Sequence, residues 1–251
     1  MKVYFIGAGP GDPELITVKG RRILGEADII IYAGSLVNPE VLQGHKPDAV
    51  IYNSASMHLQ EVLDVMINGV KEGRTVARVH TGDPSIYGAV REQMDALAQN
   101  GITYEVIPGV SSFVAAAAVL NMEYTLPGVS QTVILTRHEG RTPVPPGQEL
   151  AALAGHRASL AIFLSAAMIE EVIEELIPAY GEETPAAVVQ KATWPEQKVI
   201  RGTLKDIAHK VKEEGIDKTA LILVGNFLGS EYELSRLYDK EFSHGYRSAS
   251  S

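Results

Sequence analysis

Three times within the first 112 residues, a short strand-like run ends in a glycine-bearing loop that opens into a helical pattern. Residues 3–6 lead into Gly7-Ala8-Gly9-Pro10-Gly11-Asp12. Residues 75–79 lead into His80-Thr81-Gly82-Asp83-Pro84-Ser85-Ile86-Tyr87-Gly88. Residues 104–107 lead into Pro108-Gly109-Val110-Ser111-Ser112. Residues 3–6, an apolar run with no polar alternation, have the profile of a strand buried on both faces, which is the condition of a parallel sheet covered by helices. Parallel neighbours need crossover connections, so the chain must fold as successive βα units. Open sheets of this kind bind ligands beyond the carboxyl ends of their strands. The three loops therefore belong to one edge and suggest one pocket.

The rest of the first half fits that frame. Helices are expected over 18–26 with Thr17 as N-cap, 60–72 with apolar residues at 62, 63, 66, 67 and 70, 89–99 with Gly101 just past its end, and 113–120 capped by Ser111 or Ser112. A further strand is expected over 27–32. The pattern changes over 121–130, which holds Pro127-Gly128 and no clear period. We therefore divide the chain into an N-terminal α/β domain, 1–121, and a C-terminal domain, 122–251. The second half predicts strands at 132–136, 160–164, 186–190, 198–201 and 220–225, with helices at 166–177 and 204–214. Thr203 and Asp206 have capping-box spacing. Residues 190–200, with Trp194-Pro195, read as a hairpin connection, so this half is a mixed sheet where the first is mostly parallel. The fold class is α/β in two domains. The tail 243–251 has little to bury and is expected to fray.

Composition excludes several functions. The net charge of −9 opposes a general nucleic-acid binder, which needs a basic face. There is no cysteine, hence no disulfide, thiolate metal site or thiol nucleophile, and the seven histidines show no ligand-like spacing, so no metal site is expected. No apolar run reaches the roughly 18 residues of a membrane helix, and 3–6 reads as a strand, not a signal peptide. A cytoplasmic protein without a membrane segment is the expectation.

The first loop invites comparison with the dinucleotide fingerprint G-x-G-x-x-G. Gly7 and Gly9 fit it, but the third glycine is Gly11, one place early, and Asp12 stands where that glycine belongs. A carboxylate there would face a pyrophosphate. The acid expected after the second strand is also missing, since that strand ends Tyr32-Ala33-Gly34. These departures speak against an NAD-binding oxidoreductase. Taken alone, the loop is equally compatible with a turn that lets strand and helix pack, and Asp83 with an Asx turn. Taken together, glycines for close approach, acids and hydroxyls suit a ligand rich in donors and positive charge. S-adenosyl-L-methionine (SAM), with its sulfonium, ammonium and ribose hydroxyls, is such a ligand.

The ordered set GAGPGDPELIT at 7–17, ADIIIY at 27–32, TGDPSIYG at 81–88, PGVSS at 108–112, FLSAAMIEEV at 163–172 and TALILVGN at 219–226 resembles the SAM-dependent tetrapyrrole methylase family over nearly the whole chain. YAGSLVNPEVL at 32–42 resembles more narrowly the branch that methylates C11 of precorrin-4 or of its cobalt form, a step in building the corrin ring of vitamin B12. The resemblance implies SAM bound in the cleft between two α/β domains, S-adenosyl-L-homocysteine (SAH) as product, and a homodimer. It implies cofactor contacts from Pro10, Thr81, Gly82, Asp83, Ile86, Ser111, Ser112, Met168, Ala192 and Ala220. Ala33 stands where the related uroporphyrinogen branch has an Asp, so no catalytic base is assigned. The tetrapyrrole carries many carboxylates, and Arg137, His138 and Arg141 cluster in one loop that we expect over it; Arg91 and His58 are weaker candidates. Gly9, Gly11 and Asp12 are expected against the cofactor or the flat edge of the macrocycle. Other precorrin positions, diphthine synthesis, ribosomal RNA methylation and a non-catalytic SAM sensor are the alternatives.

Overall fold

The computed structural model describes residues 1–249 and divides into two compact units. The first comprises Met1–Val119 together with Lys191–Lys198; the second holds Leu120–Gln190 and the chain from Val199 onward. A single cut near residue 121 thus leaves out one feature. Residues 191–198 belong to the first unit, because Trp194 and Thr193 bond to Pro10 and Asp12.

The first unit is built on a five-stranded, wholly parallel sheet in the order β3-β2-β4-β1-β5. The strands are β1 (Val3–Gly7), β2 (Ile29–Tyr32), β3 (Val50–Asn53), β4 (Val76–His80) and β5 (Tyr104–Ile107). Its helices are α1 (Val18–Glu26), α2 (Leu59–Lys71), α3 (Arg91–Gln99) and α4 (Ser112–Leu120), the last of which runs to the division between the units. Alternate strand residues feed two cores. Ile6, Ile30, Ala77, Val79 and Ile107 pack with Ile23 and Leu24 of α1. Phe5, Ile29, Ile31 and Val76 pack with Val62, Leu63 and Met66 of α2 and Leu97 of α3.

This topology fixes the site. The connection leaving β1 runs to β2 across β4, and the connection leaving β4 runs to β5 across β1. Right-handed crossovers in opposite directions put their helices on opposite faces, as α1 and α3 are. The switch point of the sheet, where folds of this kind bind ligands, therefore lies beyond the carboxyl ends of the adjacent strands β1 and β4. Gly7 pairs with His80 at the last register position, so both glycine loops begin at that point.

The second unit has a five-stranded mixed sheet, β6-β7-β10-β8-β9. The strands are β6 (Val133–Arg137), β7 (Ser159–Phe163), β8 (Pro185–Gln190), β9 (Lys198–Thr203) and β10 (Ala220–Val224); β6 and β7 are parallel, and β10 is antiparallel to both β7 and β8. Leu160, Ile162, Val188, Ile222 and Val224 form its core with Val172, Ile173 and Leu176 of α6 (Ile169–Tyr180), Leu150 and Ala154 of α5 (Leu150–Ala154), and Ile207 and Val211 of α7 (Ile207–Glu213).

Two elements lay outside the sequence expectations. β3 is a half-exposed edge strand, with Val50 and Ile51 both about 40% exposed. Helix α5 is five residues of Leu and Ala, too short to show a period. The helix expected over 204–214 starts three residues late, at Ile207, although the Asp206 carboxylate accepts from the Thr203 N–H at 2.8 Å, one half of the capping box that the spacing predicts. Up to residue 249 the tail folds on itself, with Arg247 donating to the carbonyls of Leu237 and Asp239; residues 250 and 251 lie outside the described chain. Among the described residues no helix is long and apolar enough to cross a membrane.

Candidate functional site

The site starts from glycines at the switch point. A Cβ on Gly7 would stand 2.6 Å from the Gly109 Cα and 2.7 Å from the Gly82 carbonyl oxygen. A Cβ on Gly109 would overlap that same oxygen. Gly9 and Gly82 exchange backbone hydrogen bonds at 3.2 and 2.8 Å, an isolated antiparallel bridge between the two loops. Three loops thus meet backbone to backbone, closer than any side chain permits.

Asp83 fastens the same junction. Its Oδ1 accepts from the Ser85 N–H at 2.8 Å and from the Ser85 hydroxyl, and its Oδ2 accepts from the Gly109 N–H at 2.8 Å. Burial opposes its ionisation, but the Ser85 hydroxyl and the Gly109 and Ser85 N–H groups outweigh that and hold the carboxyl below its usual range. A carboxylate offers about four acceptor positions, so this ionised group retains room for one more donor.

Loop 7–12 is pinned at three successive residues. Trp194 Nε1–H donates to the Pro10 carbonyl at 2.8 Å, Asn38 Nδ2–H to the Gly11 carbonyl at 2.9 Å, and the Asp12 N–H to Thr193 Oγ1 at 3.0 Å. The Asp12 carboxylate accepts from the Glu14 N–H at 2.8 Å and caps a 3-10 turn. Gly9, Pro10 and Gly11 are buried. At Gly11, expected against the cofactor or macrocycle, a Cβ would overlap the Trp194 ring, so the missing side chain admits an indole. Thr81, Ile86 and Ser112 are half-buried in the neighbouring loops. Ser111 is buried, and its carbonyl accepts from the Val114 and Ala115 N–H groups at the start of α4. Ala192 is buried within the 191–198 segment of the same unit.

In the second unit, Met168 closes a 3-10 turn before α6, its thioether beside Gly140; Ala220 opens β10 opposite Gln190. The basic loop after β6 is organised differently from the expectation that all three cations face a ligand. Arg137 donates to the carbonyls of His138, Thr142 and Pro143 and so folds the loop on itself. His138 Nε2 lies 3.0 Å from Glu175, whose other oxygen accepts from the Ala151 N–H at the start of α5. Arg141 is exposed. Arg91 is paired with Asp95 and His58 caps α2, both at the surface.

Comparison with known proteins now decides the family. The model of the tetrapyrrole (corrin/porphyrin) methylases matches residues 2–208. The cobalt-precorrin-4 C(11)-methyltransferase of Methanocaldococcus jannaschii is 59% identical over 98% of this chain and 96% of its own length. The chain belongs to the tetrapyrrole methylases. The X-ray structure of the cobalamin biosynthetic enzyme cobalt precorrin-4 methyltransferase, CbiF, superposes with a TM-score of 0.89 at 49% identity, covering 91% of this chain and 96% of that one. The Thermus thermophilus uroporphyrin-III C-methyltransferase complexed with S-adenyl homocysteine gives 0.76 at 26%, covering 91% and 93%.

On β4, ahead of loop 81–88, lies a polar layer with no carboxylate among the described residues. Arg78 of β4 is buried, donating to the Gln93 side chain, the Ile31 carbonyl and the Ser54 hydroxyl, all neutral acceptors. Burial pulls its guanidinium down to about 10. His80, at the last position of β4 and tilted against the Phe5 ring, is 5% exposed, with no hydrogen-bond partner at Nε2. Burial, with the Arg78 charge adding to it, pushes His80 down to about 3, so its imidazole is neutral. Sequence reasoning passed over Asn38, Arg78, His80, Thr193 and Trp194 as site-builders. Trp194 is the sole tryptophan of the chain, and that was the available signal.

Two measurements check this account. Gly109→Ala should destabilise the protein by about 3 kcal/mol, because the obstructing atoms are backbone and cannot yield as a side chain can; thermal unfolding reads it. His80 is neutral when folded and titrates at its ordinary value when unfolded, so its contribution is complete above about 6.5 and is lost as the pH falls toward 3. His80→Gln should therefore flatten the acid limb of stability, by up to about 1.4 kcal/mol per pH unit.

Proposed function

We propose that this methylase transfers the methyl group of SAM to C11 of precorrin-4, in its cobalt form, on the route to the corrin ring of vitamin B12. The observation that carries the reading is the similarity, over nearly the full length of both chains, to the Methanocaldococcus jannaschii protein of that name. The likeness to CbiF supports it. The proposal extends to a cytoplasmic homodimer, on the strength of the family resemblance.

The donor set at the sheet edge fits the cofactor. Loops 7–12, 81–88 and 108–112 contain no lysine or arginine, which a phosphate would favour, and they hold an ionised Asp83 with spare acceptor capacity. Asp83, the backbone of Thr81 and Gly82, and Ser111 and Ser112 would hold it, with Pro10 and Ile86 as apolar lining. Met168, Ala192 and Ala220 complete the proposed contacts. When bound, SAM supplies an electrophilic methyl on a sulfonium whose departure as a neutral thioether needs no general acid.

The chain's contribution is orientation. In-line displacement requires donor, methyl and acceptor carbon to be aligned at near-attack distance, and a loop held at both carbonyls and amides supplies that order before reaction. The carboxylate of Asp83 orients positive and hydroxyl-bearing groups, and the apolar lining limits water. Arg141 is the cation proposed to meet a macrocycle carboxylate, since Arg137 and His138 are engaged in holding their own loop.

Mass spectrometry of a coupled incubation tests the reading. Upstream enzymes supply the precorrin-4-stage macrocycle with and without cobalt, and SAM carries a deuterated methyl. One labelled methyl, added at C11 in the cobalt preparation, is expected, and Arg141→Ala should raise the macrocycle KM several-fold with SAM affinity unchanged. SAH binding without transfer to either macrocycle would move the reading to another acceptor.

A further inference from the structure

The loop at the switch point contains three glycines, a composition that ordinarily leaves backbone mobile. Beside the Gly9–Gly82 bridge and Asn38, part of its order comes from side chains far along the chain. Trp194 and Thr193 lie more than 180 residues from the groups they bond. The indole covers Gly11, and its Nε1–H donates to the buried Pro10 carbonyl. The Lys191 ammonium stands 5.3 Å from the indole centroid.

The segment that carries these groups is strained. Thr193 has φ +69° and Lys191 φ +46°. Positive φ at a β-branched residue is a genuine outlier, retained only where surrounding contacts enforce it. The enforcing contacts are the Thr193 N–H to Gln197 Oε1 at 2.8 Å, the Trp194 N–H to the Lys191 carbonyl at 3.0 Å, and the Asp12 N–H to Thr193 Oγ1. Any residue could cover a loop without strain. The strained turn does something narrower: it aims a hydroxyl at the Asp12 amide and an indole N–H at the Pro10 carbonyl.

We propose that Trp194 and Thr193 are positioning residues for methyl transfer, acting through loop 7–12, which they hold in its ligand-ready conformation. The inference rests on the methylase reading above. Without the indole N–H the Pro10 carbonyl is left buried without a donor. The glycine loop then populates other conformations, and apparent affinity falls by the fraction that remains competent.

The test uses the full-length protein and four chains: wild type, Trp194→Phe, Thr193→Val and Thr193→Ser. Phe keeps most of the ring and removes the N–H; Val keeps the shape and removes the acceptor; Ser restores the acceptor. SAH affinity by calorimetry, single-turnover methyl transfer, and hydrogen exchange at the Asp12 amide are read. Trp194→Phe and Thr193→Val are expected to weaken SAH binding about 5- to 10-fold, slow transfer by a similar factor, and speed Asp12 exchange. Thr193→Ser is expected to match wild type. Should Trp194→Phe fail to fold, the Val and Ser pair decides alone, since both leave the indole in place. Folded variants that bind SAH and turn over like wild type overturn the inference, as does Ser weakening binding as much as Val. Wild-type protein that binds no SAH overturns the methylase reading, and the inference with it.

Discussion

Everything at the proposed site depends on the contact of Gly7 with Gly82 and Gly109. These residues end β1, follow β4 and follow β5, so their loops must converge where the parallel sheet has its switch point. No Cβ fits between them. The resulting junction is held by backbone bonds between Gly9 and Gly82 and by the Asp83 carboxylate on Gly109. Asp83 is therefore both a fastener and a charge, and the hydrogen bonds that fasten it are those that keep it ionised.

That coupling bears on what the edge can bind. An ionised carboxylate with an open acceptor position, in loops free of lysine and arginine, selects for donors and positive charge. The same economy holds in the second unit, where Arg137 and His138 organise the loop that carries them and Arg141 is left exposed. On β4, Arg78 and His80 form a polar layer without a counter-ion among the described residues, and burial makes the histidine neutral.

The sequence made the site's backbone legible and its side-chain scaffolding illegible. Strand-like runs leading into glycine-bearing loops revealed β1, β4 and the edge strand β5, although Tyr104 and Val106 of β5 are exposed, and Thr17 marked the start of α1, where it accepts from the Gly20 N–H. Edge strand β3 was missed although Ala49-Val50-Ile51-Tyr52 is an apolar run; no glycine-bearing loop follows it to mark its end. Gly11 was read as space for a ligand because a sequence shows that a side chain is missing, not what fills the gap; Trp194 fills it from more than 180 residues away. His138 was read as a cation for substrate because its partner, Glu175, lies on a helix whose proximity only folding reveals. Long-range partners of this kind leave no periodic signal.

Amide hydrogen exchange with and without saturating SAH tests the central claim most directly. Slowed exchange concentrated in residues 7–12, 81–88 and 108–112 is the result this account predicts. Tight SAH binding that leaves those three loops unprotected would contradict it.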